Sequence, residues 1–397
     1  MSVGDEGTVS HPVVAGTTSY WLAQPLPSVP AGRGSGPVDV VVVGAGVTGC
    51  SCALALARAG LRVRVLDARG VAAGASGRNG GFALRGLAPS YDASRQALCP
   101  ETAAMLWRLT EHALDRMAEL AGDALRRSGS FRLAVDSAER EALRREHDAL
   151  RVDGFAVEWL EPLPEPLAPL FAGALVHPGD GSLSPALWVR RLASAAVAAG
   201  AEIVQGRVVE RGELEALPVG EVVVAVDGAT AALLPELVSW VTPVRGQMLS
   251  TGPLPSLLYP RPHYARWGYD YWQQLPDGRL VLGGKRDVSF TSERTADDAT
   301  TPAIQRELEA FAADLIGFPP RIEHRWSGCW GETPDALPLV GRVPGADRLW
   351  VAGGYSGHGN VLGFACGALV ADALLGTLPP ELASFDPARF SASPIGS

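Results

Sequence analysis

Apolar positions along the chain change period several times, and each change marks an element. Residues 38–43 form a β-branched run broken only by Asp39, residues 47–59 carry helical spacing, and residues 61–66 form a second short run closed by Asp67. Two strand-length runs flanking one helical segment outline a βαβ unit. Within 101–127, Met105, Leu106, Leu109, Leu114, Met117 and Leu120 recur at helical spacing, which predicts a long amphipathic helix. A strand at 130–135, a charged helix at 137–151 and a strand near 157–160 lead into the proline-rich segment EPLPEPLAP. Ser184 before Pro185 predicts the start of a helix reaching residue 199, followed by strand pieces at 202–204 and 221–226. From 243 to 323 strands and turns dominate, and Asp277-Gly278 between two alternating runs predicts a hairpin and an antiparallel sheet. A strand at 349–352 and a helix over 360–375 follow.

Composition narrows the class. The 397 residues exceed the size at which a single core keeps growing, so two domains are expected. Hydrophobic residues make up 47% and charged residues 19%, enough apolar surface to exclude wholesale disorder. A net charge of -9 without a dense basic run argues against nucleic acid as a partner. Asp5 and Glu6 stand where a secretory signal carries basic residues, and no apolar segment follows, so export is not expected. The apolar stretch 38–59 contains a glycine-rich turn and reads as strand plus helix rather than a membrane span. Cys50, Cys52, Cys99, Cys329 and Cys366 are odd in number and lack metal-ligand spacing, which fits free thiols in a reducing cytoplasm and no metal site.

The first chemical signal is VVVGAGVTG, which sets Gly44, Gly46 and Gly49 between the first strand and its helix. A dinucleotide pyrophosphate needs glycines for a tight turn and close backbone approach, and a helix N-terminus whose free N–H groups face the charge. Asp67 ends the second strand, roughly 20 residues on, where a carboxylate can accept from ribose hydroxyls. A second loop, GASGRNGG at 74–81, suits a cofactor that runs beyond one mononucleotide site. GGYSGHG at 353–359 ends a strand and opens the last helix, so its N–H groups and the helix dipole can stabilise an anionic ring.

In order along the chain, SYW near Tyr20, GASGRNGG, DGSLSP at 180–185, VRGQ at 244–247, TPDALPLVG at 333–341 and GGYSGHG resemble the D-amino-acid oxidase family of FAD enzymes. That family includes glycine oxidase, monomeric sarcosine oxidase and γ-glutamylputrescine oxidase, and the SYW and GASGRNGG segments look most like the last. The resemblance implies an α/β fold: a Rossmann-like FAD-binding domain with a second, mostly antiparallel β-sheet substrate domain. It assigns 1–36 to an N-terminal arm docked by Tyr20 and Trp21, 37–127, 178–240 and 325–390 to the FAD-binding domain, and 128–177 and 241–324 to the substrate domain. It further implies non-covalent FAD held by Gly44, Gly46, Val47, Thr48 and Gly49, by Asp67, Ala68 and Arg69, and by Gly74, Ala75, Ser76, Arg78, Asn79, Gly80 and Gly81. Val208, Gly228, Gly354, Gly357, His358, Gly359 and Asn360 complete that candidate set.

The substrate side departs from the family. The arginine with which glycine oxidase holds a carboxylate falls here on Trp330, and the lysine that follows SGHG in sarcosine oxidase falls on Val361. With both anchors replaced, an amine or N-alkyl compound held against aromatic faces is expected, with Tyr269, Tyr271, Trp272 and Trp330 as candidates. Strand alternation puts Tyr269 and Tyr271 on one side and Trp272 on the other. Arg245 of VRGQ is a candidate replacement anchor, and otherwise a structurally paired arginine. Lys285, the chain's only lysine, stands four residues beyond Val281, the position that aligns with sarcosine oxidase's oxygen-activating lysine, and on a regular strand would share its side. His358 is a further catalytic candidate. Cys329 is one residue from the site of covalent flavin attachment in sarcosine oxidase, which aligns with Gly328.

The expected activity is hydride transfer from a carbon beside an amine nitrogen to flavin, giving an imine that hydrolyses, with molecular oxygen reduced to hydrogen peroxide. An amino-acid oxidase of glycine, proline or D-amino-acid type, and a flavin-binding subunit of a heteromeric dehydrogenase, are the alternatives.

Overall fold

The computed structural model describes residues 17–391; Asp5, Glu6 and the rest of the arm before residue 17 lie outside them. Four consecutive valines, Val40–Val43, are buried on both faces, as a central parallel strand requires. They sit between Val63–Asp67 and Glu221–Val224 in a six-stranded sheet, with Val42 opposite Val65 and Val223. Glu202–Gln205 lies outside Val63–Asp67, and Leu349–Gly353 and Leu339–Arg342 lie outside Glu221–Val224. Every pairing is parallel except that of Leu339–Arg342. Strand order reverses direction at Val40–Val43, and the crevice beyond the carboxyl end of such a strand is where α/β sheets take ligands.

The second sheet has eight strands, in the order Ile322–Glu332, Thr242–Pro253, Arg279–Gly284, Asp270–Gln274, His263–Ala265, Ser130–Ala134, Gly173–His177, Glu158–Leu160. Only the His263–Ala265 and Ser130–Ala134 pair is parallel. The Asp277-Gly278 hairpin forms as expected, with Gly278 at φ 89°. Phe82–Ala83, Gly181–Leu183 and Leu125–Arg126 form a small third sheet. The α/β class with a mostly antiparallel second sheet is therefore observed.

Several expectations need correction. A 15-residue helix, Pro302–Ile316, interrupts the region read as strands and turns. Its Ile304, Leu308, Ala312 and Leu315 are buried at helical spacing against the sheet face that carries Trp272 and Leu282. Pro302 at the first turn and Gly317 at φ 80° bound it, and both signals were in the sequence. The long helix is Pro100–Ala121 and does not reach Arg127, because Gly122 turns the chain at φ 54°. The division at residue 325 falls inside Ile322–Glu332, a strand of the eight-stranded sheet. Trp21 is 3% exposed and its indole N–H donates to the Asn79 carbonyl at 2.8 Å, so this part of the arm supports the GRNGG loop. No helix among the described residues is long and apolar enough to cross a membrane.

Candidate active site

A cavity of about 840 Å³ runs from the carboxyl end of Val40–Val43 to the inner face of the eight-stranded sheet. Its first part is made of main chain. Gly44 has φ 110°, and a Cβ there would overlap the Ala225 carbonyl. Gly49 does not face the cavity; a Cβ there would overlap the Gly44 carbonyl, so this glycine lets the Val47–Arg58 helix close on the strand. Gly46, Val47 and Thr48 line the wall, although the Thr48 hydroxyl is committed to the Tyr355 hydroxyl at 2.9 Å. The Val47 amide, first of the helix, donates to the Ser76 hydroxyl at 3.1 Å, which joins the two glycine turns.

Asp67 lines the cavity with both oxygens already accepting main-chain N–H groups, from Ala45 at 2.8 Å and from Arg69 and Gly70 at 2.8 and 2.6 Å. The carboxylate is thereby fixed, and lone pairs remain for hydroxyl donors. Ala68, Arg69 and Val208 stand at the same end. Gly74, Ala75, Ser76, Arg78, Asn79 and Gly80 form the next wall, while Gly81 and Gly354 do not line the cavity. The Arg78 guanidinium is occupied by the carbonyls of Ala73, Thr17 and Ser327 at 2.8, 2.6 and 3.1 Å, so this arginine braces the loop.

The GRNGG and SGHG segments meet. Asn79 and Asn360 exchange side-chain hydrogen bonds at 3.0 Å in each direction, and Asn360 also donates to the Phe82 carbonyl at 2.7 Å. Gly228, Gly357, His358 and Gly359 line the cavity beside them, just ahead of the Val361–Leu374 helix N-terminus. Asp227, not singled out from sequence, gathers this region: it accepts from the Gly354 amide at 2.9 Å, and burial raises its pKa to about 6 despite several main-chain donors. The residues present thus offer glycines at close approaches such as Gly44 and Gly46, two helix N-termini and fixed hydrogen-bonding groups along one elongated cavity, which fits an extended dinucleotide such as FAD.

The far part is made of side chains. Tyr271, Tyr264, Met248 and Trp330 face it. The Tyr264 and Tyr271 rings are 6.3 Å apart at 28°, and burial raises both phenol pKa values. Gly246 is the floor under Trp330, since a Cβ there would come within 2.5 Å of the indole. Trp272 points away into the opposite core, stacked on His263 at 5.0 Å, as alternation requires. Tyr269 precedes the strand and does not line the cavity; the Arg286 guanidinium lies 4.8 Å from its ring. The His358 ring forms part of the wall, and loss of hydration, helped by Arg132, holds its pKa at about 4. The Cys329 thiol is directed at the Asp297 carbonyl at 3.5 Å and burial pushes it up to about 11.

Two catalytic candidates are not brought to the site. Arg245 is 4% exposed and forms a bidentate pair with Glu293 at 2.9 and 2.7 Å, so its fork is used up inside the protein. Lys285 pairs with Asp270 at 2.9 Å and sits 4.3 Å from the Phe311 ring. The strand ends at Gly284, φ 131°, and Lys285 takes φ 58°, so side alternation does not carry from Val281 to Lys285. Its neighbour Arg286, passed over in the sequence, lines the cavity instead.

The fold and this cavity define a flavin-dependent oxidoreductase. A family model described as FAD dependent oxidoreductase, DAO, matches residues 39–373, and the chain belongs to that family. It is 28% identical to a probable oxidoreductase OrdL of Rhizobium meliloti over 93% of this chain and 90% of that one. It is 31% identical to a glycine oxidase of Geobacillus kaustophilus over 66% and 72%, and 26% identical to γ-glutamylputrescine oxidoreductase of Escherichia coli over 80% and 79%. The crystal structure of glycine oxidase from Geobacillus kaustophilus superposes with a TM-score of 0.74 at 27% identity, covering 90% of this chain and 99% of that one. The protein is thus an FAD-dependent oxidoreductase of the amine and amino-acid oxidase type.

Proposed function

We propose that the enzyme oxidises the C–N bond of an amine or N-alkyl compound, releasing an imine that water hydrolyses, with oxygen as the final acceptor and hydrogen peroxide as its product. Bound FAD supplies the hydride acceptor. On this reading the GAGVTG turn, Asp67 and the GASGRNGG loop hold the dinucleotide without a covalent bond, since a thiol as weakly acidic as Cys329 is a poor source of thiolate. The Gly357–Asn360 turn and the helix behind it present N–H groups to the ring end of the cavity.

The observation that carries the substrate reading is Trp330. Its ring faces the chamber, with its indole nitrogen 3.9 Å from where a Cβ of Gly357 would stand, and the sequence resemblance aligns it with the carboxylate-binding arginine of glycine oxidase. Val361 is apolar and Arg245 is committed to Glu293, so an α-carboxylate beside the SGHG turn would meet an indole and two phenols, with the cation Arg286 5.7 Å from the centre of the Trp330 ring. Those faces suit an amine: they desolvate it, which favours the neutral form whose lone pair assists hydride loss. Neutral His358 at the wall can accept a hydrogen bond from the amine N–H without carrying a competing positive charge.

Anaerobic bleaching of the flavin near 450 nm in the reconstituted protein tests this, with amines, N-alkyl amines and α-amino acids side by side at about millimolar concentration, typical of enzyme substrates. Reduction by amines ahead of glycine, proline and D-amino acids is expected; reduction by α-amino acids alone overturns the reading.

A further inference from the structure

The side-chain half of the cavity contains one guanidinium, Arg286, whose only anionic partner among the described residues is a carboxylate it shares with a second arginine. Arg69, Arg78, Arg207 and Arg211 also line the cavity, and each is occupied: by Asp298, by carbonyls, by Glu213 and by Glu236. Arg286 is held by rings: its guanidinium carbon lies 4.8 Å from the Tyr269 centroid, 5.7 Å from Trp330 and 5.8 Å from Phe290. It pairs with Glu332 at 3.4 Å, and Glu332 is also approached by Arg294 at 3.7 Å, so two arginines share one carboxylate. A guanidinium stacked on aromatic faces keeps its planar N–H edge free for a second ligand, and that edge matches a carboxylate in two parallel hydrogen bonds.

The geometry points to Arg286 as the anchor for an anionic group of the substrate, most simply a carboxylate, set apart from the reacting C–N bond. This rests on the amine reading above and deepens it. Trp330 fixes the spacing: its nitrogen edge is beside Gly357 while Arg286 flanks the same indole, so a ligand reaching from the SGHG turn to the guanidinium runs along the ring. An amine whose acidic group is carried on a spacer fits that path; an α-amino acid, with carboxylate and nitrogen on one carbon, does not extend along it. The substrate class is thus an amine bearing a distal carboxylate, with the aromatic wall taking the spacer.

The test uses a matched pair, phenethylamine and 4-(2-aminoethyl)benzoate, and the non-reducible acid 4-ethylbenzoate as a binding probe. In the FAD-loaded wild type the acidic amine has the higher kcat/KM, and 4-ethylbenzoate perturbs the flavin spectrum. Arg286→Gln is expected to cut the acidic-to-neutral kcat/KM ratio at least tenfold, chiefly through KM, and to weaken 4-ethylbenzoate at least tenfold, with partial rescue by Arg286→Lys. Arg294→Gln removes a charge of the same sign from the same carboxylate outside the cavity, and is expected to keep the ratio within about twofold. A ratio unmoved by Arg286→Gln, or lowered equally by Arg294→Gln, overturns the assignment. If neither amine reduces the flavin while 4-ethylbenzoate still binds in an Arg286-dependent way, the amine reading falls and the anion site stands.

Discussion

At the carboxyl end of Val40–Val43 the cavity wall is main chain: amides, carbonyls and glycines whose missing Cβ atoms define the space. At the other end it is side chains, Tyr264, Tyr271, Met248, Trp330 and Arg286, contributed by segments scattered along the second sheet. A main-chain wall is set by local conformation and leaves no room for an added atom at its tightest glycines, such as Gly44. A side-chain wall can change ligand while the backbone beneath it stays as it was. This difference separates what the chain shares with its family from what distinguishes it, and it can be probed one residue at a time.

The largest effect is expected just outside the chamber. Arg245 and Glu293 are 4% and 1% exposed, and removing one member of a buried pair strands the other charge. Arg245→Ala should lose about 3–5 kcal/mol, read as the urea midpoint at constant m-value. The acidic-to-neutral substrate ratio should not follow it. A stable Arg245→Ala protein that binds acidic amines tenfold more weakly would return Arg245 to the chamber and blur the comparison.

Next comes a pair of substitutions, one in each wall. In Gly49→Ala the new methyl overlaps the Gly44 carbonyl, forcing helix and strand apart at a cost on the order of 3 kcal/mol, so purified protein should carry little FAD. Trp330→Phe removes an indole N–H that has no partner, so it should retain full FAD and alter only substrate preference. Loss of FAD from both variants would mean that the two walls are not separable.

The same division explains what was legible in the sequence. GAGVTG, GASGRNGG and SGHG could be placed because their chemistry is local: glycines, a helix start and a strand end lie within a few residues of one another. Their convergence through Asn79 and Asn360, 281 residues apart in the chain, was an expectation of family order rather than of spacing. The chamber was legible only where a strand stayed regular. Alternation separated Tyr271 from Trp272 correctly, but it failed at Lys285, one residue beyond Gly284, where a left-handed residue turned the chain and exchanged the roles of Lys285 and Arg286. Asp227 was missed because a lone Asp before Gly228 carries no signal until Gly354 folds back onto it. The Pro302–Ile316 helix carries its own boundary signals, Pro302 and Gly317, but lies between strand and turn signals that dominate the surrounding sequence.

A smaller, graded effect comes from pH. Burial holds His177 and His358 at about 4 and His263 at about 3, all below the ordinary value of 6.5. All three line a small cavity of about 20 Å³ behind the substrate chamber, with Arg132, Glu146, Arg85 and Asp180 around it. Because the unfolded chain binds these protons first, this stability is present above about pH 6.5 and is lost as pH falls through the folded values. Asp227, raised to about 6 on the cofactor side, acts with the opposite sign: stability falls as pH rises from about 3.8 to 6. Asp270 and Asp372 are raised by burial as well, with the same sign as Asp227, but the three histidines carry the larger change, so the melting temperature should drop by several degrees between pH 7 and pH 5. His263→Phe, which fills the site without a titrating group, should flatten the slope; an unchanged slope would move the acid sensitivity elsewhere.

The smallest expected effect is the most pointed, because it concerns the residue whose position the sequence misjudged. Lys285 donates to Asp270, but Arg266 approaches the same carboxylate at 3.2 Å, so Lys285→Met leaves the buried Asp270 with a cationic partner. The stability loss should be about 1 kcal/mol. If Lys285 lies on the far face of the sheet against Phe311, its charge cannot assist electron transfer to oxygen, and reoxidation of the reduced flavin followed by stopped flow should stay within about twofold of wild type. Any assistance would then have to come from cations that do line the chamber, of which Arg286 shares its one carboxylate with Arg294. A reoxidation rate lowered a hundredfold by Lys285→Met would require the Gly284–Lys285 turn to rearrange when FAD binds, and the side-chain wall would be less fixed than the main-chain one.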